Sequence, residues 1–305
     1  MKYLVTGGAG FIGSNYVRHL VSGTYGSDVT RVTVLDALTY AGNLENLKSA
    51  ESSSLFEFVH ADINNREIVN QLMRETDVVV HFAAESHVDR SISGSAEFIR
   101  TNVLGTQTLL EAAREAKVNR FVHVSTDEVY GTIDSGSWKE DEPLLPNSPY
   151  AASKASSDLL VRSYFRTHGL DTITTRCSNN YGPYQYPEKL IPLFTTNLID
   201  GLTVPLYGNG MNVRDWLHVD DHCNGIQLAL MNGRAGEIYN IGGGTELTNI
   251  EMTKKILEAM NADWETSVVQ VEDRKGHDLR YCVDCSKAEN EIGYTPRVAF
   301  DQGLA

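Results

Sequence analysis

Through residues 1–180, short apolar runs alternate with stretches that are apolar on one helical face. Six runs read as strands: Tyr3–Thr6, Val32–Leu35, Leu55–Val59, Val78–Phe82, Phe121–Ser125 and Thr172–Thr175. Between them, Ile12–Leu20, Arg66–Arg74 and Asn102–Ala116 carry the spacing of amphipathic helices. Runs that are β-branched and apolar at nearly every position are expected where helices cover both faces of a parallel sheet. The alternation therefore predicts repeated βα units and an α/β fold. After Asn180 prolines and glycines become frequent (YGPYQYPEK, LYGNG, NIGGG) and short helices are expected. This divides the chain into an α/β domain over 1–180 and a smaller α+β lobe over 181–305, with later strands free to return to the first sheet.

Composition narrows the picture. The 305 residues are 41% hydrophobic and 22% charged, ordinary for a soluble globular protein. The net charge of −14 argues against non-specific nucleic-acid binding. An anionic ligand must then be held by local donors. No apolar run is long enough to span a membrane, and MKYLVTGGAG leads straight into a glycine loop, so no signal peptide and a cytoplasmic location are expected. Four cysteines suit that compartment. Cys282 and Cys285 form a lone C-x-x-C, and His218 and His222 stand at i, i+4. Each is too unspecific to imply a metal, and none is expected. Asp220 or Asp221 reads as the cap of a helix running through Gly225 to Met231.

Gly7, Gly10 and Gly13 follow the first strand and open a helix, a variant of the dinucleotide fingerprint. Glycines there let the backbone approach a pyrophosphate, whose charge sits at the helix N-terminus. Asp36 ends the second strand about twenty residues on, where a carboxylate accepts from a ribose and repels a 2′-phosphate. A Rossmann-type doubly wound sheet holding NAD is the expectation. Asp62 is either a helix cap or a contact to the adenine edge.

Ser148 and Pro149 read as the cap and first residue of a helix, which places Tyr150 in its first turn. Lys154 is then one turn away on the same face. A phenol titrating near ~10 becomes a usable base beside an ammonium and a positive nicotinamide ring. Ser125–Thr126 end the fifth strand nearby.

These residues resemble the extended short-chain dehydrogenase/reductase family over essentially the whole chain. The resemblance implies an NAD-holding Rossmann domain and a C-terminal lobe holding a nucleotide sugar. Thr126 would bond the sugar's O4, Tyr150 would take its proton, and Lys154 would hold the ribose. Beyond the glycines and Asp36, it places Phe11, Ile12, Leu38, Thr39, Asp62, Ile63, Phe82, Ala83, Ala84, Thr101, Ser125 and Asn180 around the cofactor.

Asp127 and Glu128 select the reaction. Paired carboxylates in different environments suit an acid/base elimination, which an epimerase does not need. The Thr-Asp-Glu triplet resembles the nucleotide-sugar 4,6-dehydratases, in which Glu128 would remove the C5 proton and Asp127 would protonate the departing 6-hydroxyl. HFAAESHVDRS, RCSNNYGPYQYPEKLIP, PLYGNGMNVRDWLHVDDH, LTNIEMT and DRKGHDLRY resemble the thymidine-nucleotide members, so dTDP-glucose is the implied substrate. Its contacts would be Ser86, Asn179, Lys189, Leu190, Pro205, Tyr207, Arg214, Asn249, Arg274 and His277. Arg214 and Arg274 can fork onto a diphosphate, and His87 reads as a hydrogen-bonding residue. The family usually continues past Ala305 through another helix. By the same resemblance a homodimer would form through helices near Asn102–Ala116 and Tyr150–Phe165, which carry Leu109, Leu110, Leu159, Leu160, Val161, Tyr164 and Phe165. The alternatives are a UDP-, GDP- or CDP-sugar dehydratase, an epimerase or decarboxylase, and a non-catalytic NAD sensor. Turnover on each nucleotide sugar separates them.

Overall fold

The structure, a computed structural model, describes residues 1–305. Six strands follow the sequence pattern closely: β1 (Lys2–Thr6), β2 (Arg31–Asp36), β3 (Phe56–His60), β4 (Val78–His81), β5 (Arg120–Thr126) and β6 (Thr172–Cys177). The later strands are β7 (Asn179–Tyr181), β8 (Val204–Tyr207), β9 (Val213–His218), β10 (Ile238–Ile241), β11 (Glu246–Thr248) and β12 (Val268–Val271). A seven-stranded parallel sheet runs β10-β6-β5-β4-β1-β2-β3. Alternate residues of each strand feed two cores. Leu4, Val79 and Phe121 meet Val69, Met73, Leu109, Leu110 and Val161 on one face. Val5, Val80 and Val122 meet Val17, Leu20, Ile226 and Leu230 on the other. This is the Rossmann-type doubly wound fold, whose order reverses between β1 and β4 and opens a crevice at their carboxyl ends.

β7, β9 and β11 form a three-stranded sheet and β8 pairs with β12. With the helices Leu190–Ile199 and Asn249–Ala259 they enclose a smaller core of Tyr181, Phe194, Val204, Trp216, Met252, Ile256 and Phe300. No helix is long and apolar enough to cross a membrane.

Four expectations are corrected. Helices after Asn180 are not uniformly short: Val219–Asn232 has 14 residues and carries Gly225 in its interior, where the helix packs closely on Ile241 and Tyr294. Its N-cap is His218, whose ring accepts from the Asp220 N–H. Asp220 and Asp221 stand in its first turn, where Asp221 instead accepts from the amides of Arg297 and Val298. The Asn102–Ala116 stretch is a π-helical segment (Ile99–Gly105) followed by an α-helix (Thr106–Ala116). Finally, Leu109, Leu110, Val161 and Tyr164 are buried within this chain, so most of the apolar width of the two helices packs internally. Ile99, Leu104 and Leu159 remain exposed.

Candidate active site

A cleft of about 690 Å³ lies along the carboxyl ends of the strands, between sheet and lobe. At one end β1 turns into the Phe11–Val21 helix. Gly7 has φ +70, and a Cβ there would lie 2.5 Å from the Ala83 nitrogen; one at Gly13 would lie 2.3 Å from the Gly7 carbonyl oxygen. Only glycine permits this packing. The amides of Phe11, Ile12 and Gly13 have no acceptor within the chain, leaving a helix N-terminus open to an anion.

Asp36 lines the cleft at the end of β2 and accepts from the Ala9 and Leu38 amides at 2.9 and 2.8 Å. Burial pushes its carboxyl up, against those two hydrogen bonds. Leu38 does not line the cleft. Its backbone turns at φ 50 to donate to Asp36, and its side chain packs on the main core, so any contribution is through the backbone turn. Asp62 lines the cleft without capping a helix: it accepts from the Asn64 amide, and Asn65 caps Arg66–Met73. Gly10, Thr39, Ile63, Phe82, Ala83, Ala84, Thr101, Ser125 and Asn180 also line it.

At the centre, β5 ends in Thr126, whose hydroxyl accepts from the Glu128 amide and caps a 3₁₀ turn, Asp127–Tyr130. Opposite, Ser148 caps the Pro149–His168 helix by accepting from the Ala151 amide, and Tyr150 and Lys154 face the cleft. The Lys154 ammonium donates to the Val124 carbonyl at 2.8 Å. Burial lowers it to about 8, and Asp158 opposes that most strongly. Tyr150 is pushed well above 10 by burial, then by Glu128, Cys177 and Asp127. Asp127 is likewise pushed well up by burial, then by Glu128 and Asp215, and one of its oxygens has no partner in the chain. Glu128 is raised by burial, but Lys189 and Arg214 pull against that. The neighbours therefore differ: Asp127 is set to hold a proton and Glu128 has cations nearby.

On the lobe side, Ser86, Asn179, Lys189, Leu190, Pro205, Tyr207, Arg214, Asn249, Arg274 and His277 all line the cleft. Arg274 is already engaged: it pairs with Asp89 (2.5 Å) and lies 5.3 Å from the Tyr207 ring. Arg214 donates to the Asp278 carbonyl. His87 caps Val88–Ser93, its Nδ1 accepting from the Arg90 amide at 3.3 Å, and its Nε2 lies 3.7 Å from Glu188.

Sequence reasoning missed Tyr40 and Glu188. The Tyr40 hydroxyl donates to Glu188 at 3.1 Å and lies 3.3 Å from Ser86, with the Arg90 guanidinium over its ring. Glu188 stood in a quoted segment; nothing local marks Tyr40. Asn102 was also missed: its amide bonds the Glu85 carbonyl and the Ser153 hydroxyl, tying the cleft wall to the Tyr150 helix. Cys282 and Cys285 are engaged separately, by Glu246 and by the Gly242 amide. His222 bonds Asn180.

Comparison with known proteins places this cleft in context. The family model described as GDP-mannose 4,6 dehydratase matches residues 4–305. A dTDP-glucose 4,6-dehydratase of Streptomyces antibioticus is 61% identical, across 100% of this chain and 90% of its own. The structure of the dTDP-glucose 4,6-dehydratase DesIV from Streptomyces venezuelae, with NAD bound, superposes with a TM-score of 0.99 at 62% identity, covering 100% and 95% of the two chains. A UDP-glucuronic acid 4-epimerase from Bacillus cereus shares the fold at a TM-score of 0.93 but only 29% identity, covering 100% and 96%.

Proposed function

The chain belongs to the GDP-mannose 4,6-dehydratase family, and from that premise we propose that it is the hydro-lyase that converts dTDP-glucose to dTDP-4-keto-6-deoxyglucose with NAD. The observation that carries this reading is the adjacent buried Asp127 and half-buried Glu128 at the cleft with Tyr150, a pair that a simple oxidoreductase or epimerase has no use for.

NAD, when bound, supplies a hydride acceptor and donor and a positive ring beside Tyr150. The free amides of Phe11, Ile12 and Gly13 would hold its pyrophosphate and Asp36 a ribose, a set of donors and a carboxylate that fits the group. Thr126 bonds O4 of the sugar and Tyr150 takes its proton. Oxidation at C4 acidifies C5–H, which Glu128 removes, while the proton held on Asp127 goes to the departing 6-hydroxyl. The reaction is redox-neutral and the net loss is one water. Lys189, Tyr207, Asn249 and His277 line the space for the nucleotide.

Residues 1–180, joined by the Val219–Asn232 helix and β10, act as the cofactor unit, and the β7–β9–β11 and β8–β12 sheets with their helices act as the substrate lobe. The exposed Ile99, Leu104 and Leu159 give a face for a homodimer, checked by sedimentation of a Leu159→Glu variant.

The test is incubation of the purified protein with dTDP-glucose and no added reductant. Loss of one water by mass supports the reading. No mass change with dTDP-glucose would overturn it, and turnover of a UDP-, GDP- or CDP-sugar instead would reassign the substrate.

A further inference from the structure

Three polar side chains beneath the cleft are buried, and none of them lines it: Tyr130 (0% exposed), Asp158 (4%) and Arg176 (2%). Asp158 stands one turn beyond Lys154 and two beyond Tyr150, on the buried face of the same helix. Tyr130 ends the 3₁₀ turn that begins with Asp127 and Glu128. Arg176 lies on β6, in register with Ser125 of β5, between those two elements. Its Nε donates to Asp158 Oδ2 at 2.9 Å and its Nη1 to the Tyr130 hydroxyl at 2.7 Å. The guanidinium also sits 4.7 Å from the Tyr130 ring. The Tyr130 hydroxyl donates onward to Asn240 on β10, at 2.9 Å.

We infer that Arg176 is a positioning residue that braces the helix carrying Tyr150 and Lys154 against the turn carrying Asp127 and Glu128. The inference rests on the dehydratase reading above. In that reaction the group acting at O4 and the groups acting at C5 and C6 must serve one bound sugar in succession. A misplacement of about 1 Å between them can cost roughly a hundredfold. The chain joining the two elements, residues 131–148, runs largely over the surface and gives little rigidity of its own. Val129 and Tyr130 pack on Ala155 of the helix, but apolar contact does not fix direction; a side chain with donors in several directions can bond both elements at once, which suits a guanidinium and not an ammonium. Burial opposes the charge on Asp158, yet Arg176 and His123 hold its carboxyl down at about 2, so the ion pair stays formed at any working pH.

The experiment compares wild type, Tyr130→Phe and Arg176→Lys as holoenzymes on dTDP-glucose. It follows the absorbance of reduced nicotinamide and the loss of water in the same reaction. Tyr130→Phe removes one hydroxyl and leaves the buried ion pair in place. It is expected to keep its bound cofactor and to oxidise within about twofold of wild type, while elimination slows by about tenfold. Reduced nicotinamide then accumulates on the enzyme in the steady state. Arg176→Lys shows the same split more strongly; should it fail to fold, Tyr130→Phe decides alone. Equal slowing of both steps, or no change in either, would overturn the brace. A wild-type protein that oxidises the sugar but never releases water overturns the dehydratase reading itself, and the inference with it, so the two failures are distinguishable.

Discussion

Lys154 stands one helical turn beyond Tyr150, yet its ammonium donates to the Val124 carbonyl. With no hydrogen bond to the phenol, what Lys154 can lend Tyr150 is charge, and that charge is titratable: burial brings Lys154 down to about 8, against the pull of Asp158 and Cys177. Activity that needs the ammonium is full below about pH 8 and lost as pH rises through it. We expect kcat/KM, which reports the free enzyme, to fall by about tenfold per unit above that pH. Lys154→Arg, charged throughout, should flatten this limb at whatever activity it retains. An unchanged limb in that variant would assign it to another group. Tyr150→Phe should lower oxidation itself by about 10²–10⁴-fold, read as reduced nicotinamide formed in a single turnover.

Asp127 and Glu128 act after oxidation, so their loss should leave that step standing. Glu128→Gln and Asp127→Asn are expected to form reduced nicotinamide at close to the wild-type rate and to release water about 10²–10⁴-fold more slowly. Variants that lost both steps together would place the pair in substrate binding instead.

Asp127 also carries a stability cost. Its folded pKa lies well above the ordinary carboxylate value through burial, then Glu128 and Asp215. For a raised pKa the stability contribution is full below about pH 4 and lost as pH rises through the folded value. Asp127→Asn, neutral throughout, should therefore melt higher than wild type at pH 8 and show little difference at pH 4. The same offset at both values would show that the gain has nothing to do with the proton.

What could be read from the sequence was what neighbours in the chain decide. The β1 glycine loop, the Ser148 cap and the placing of Tyr150 and Lys154 on one face depend on residues a few positions apart, and the structure has them as expected. The family and its doubly wound sheet followed from them. What escaped depends on partners far along the chain. Asp158 and Tyr130 share a partner only because β6 delivers Arg176 between them. Leu109 and Val161 looked available for another subunit because sequence cannot show that the two helices cover one face of the same sheet. Leu38 reads as an ordinary apolar contact until its φ of 50 shows that the backbone, bonded to Asp36, makes the turn.

Gly7 offers a test of the cofactor loop that leaves the acid/base groups alone. Its φ of +70 and the 2.5 Å approach of an added Cβ to the Ala83 nitrogen mean that Gly7→Ala must shift β1 away from β4. The loop that presents the Phe11, Ile12 and Gly13 amides shifts with it. We expect the purified variant to carry little NAD, measured by absorbance after denaturation, and to bind added NAD at least about tenfold more weakly. Wild-type cofactor content would show that the loop tolerates the methyl and that the close approach is incidental.

The Asp158–Arg176 pair should set the acid limit of the fold. Burial opposes ionisation, but Arg176 and His123 bring the Asp158 carboxyl to about 2, below the ordinary value of about 3.9. A depressed pKa contributes stability that is present above about pH 4 and lost as pH falls through about 2. Here that is about 2–3 kcal/mol. Asp158→Asn leaves a buried guanidinium without its counter-charge and should lower stability at pH 7 by about 3–5 kcal/mol. The gap between the two proteins should then narrow as pH falls below about 4, where the wild-type carboxylate begins to take up its proton. Denaturant unfolding at pH 7, 4 and 3 reads this directly. A gap that stayed constant across those values would mean that packing around the side chain, and not the ion pair, stabilises this part of the core.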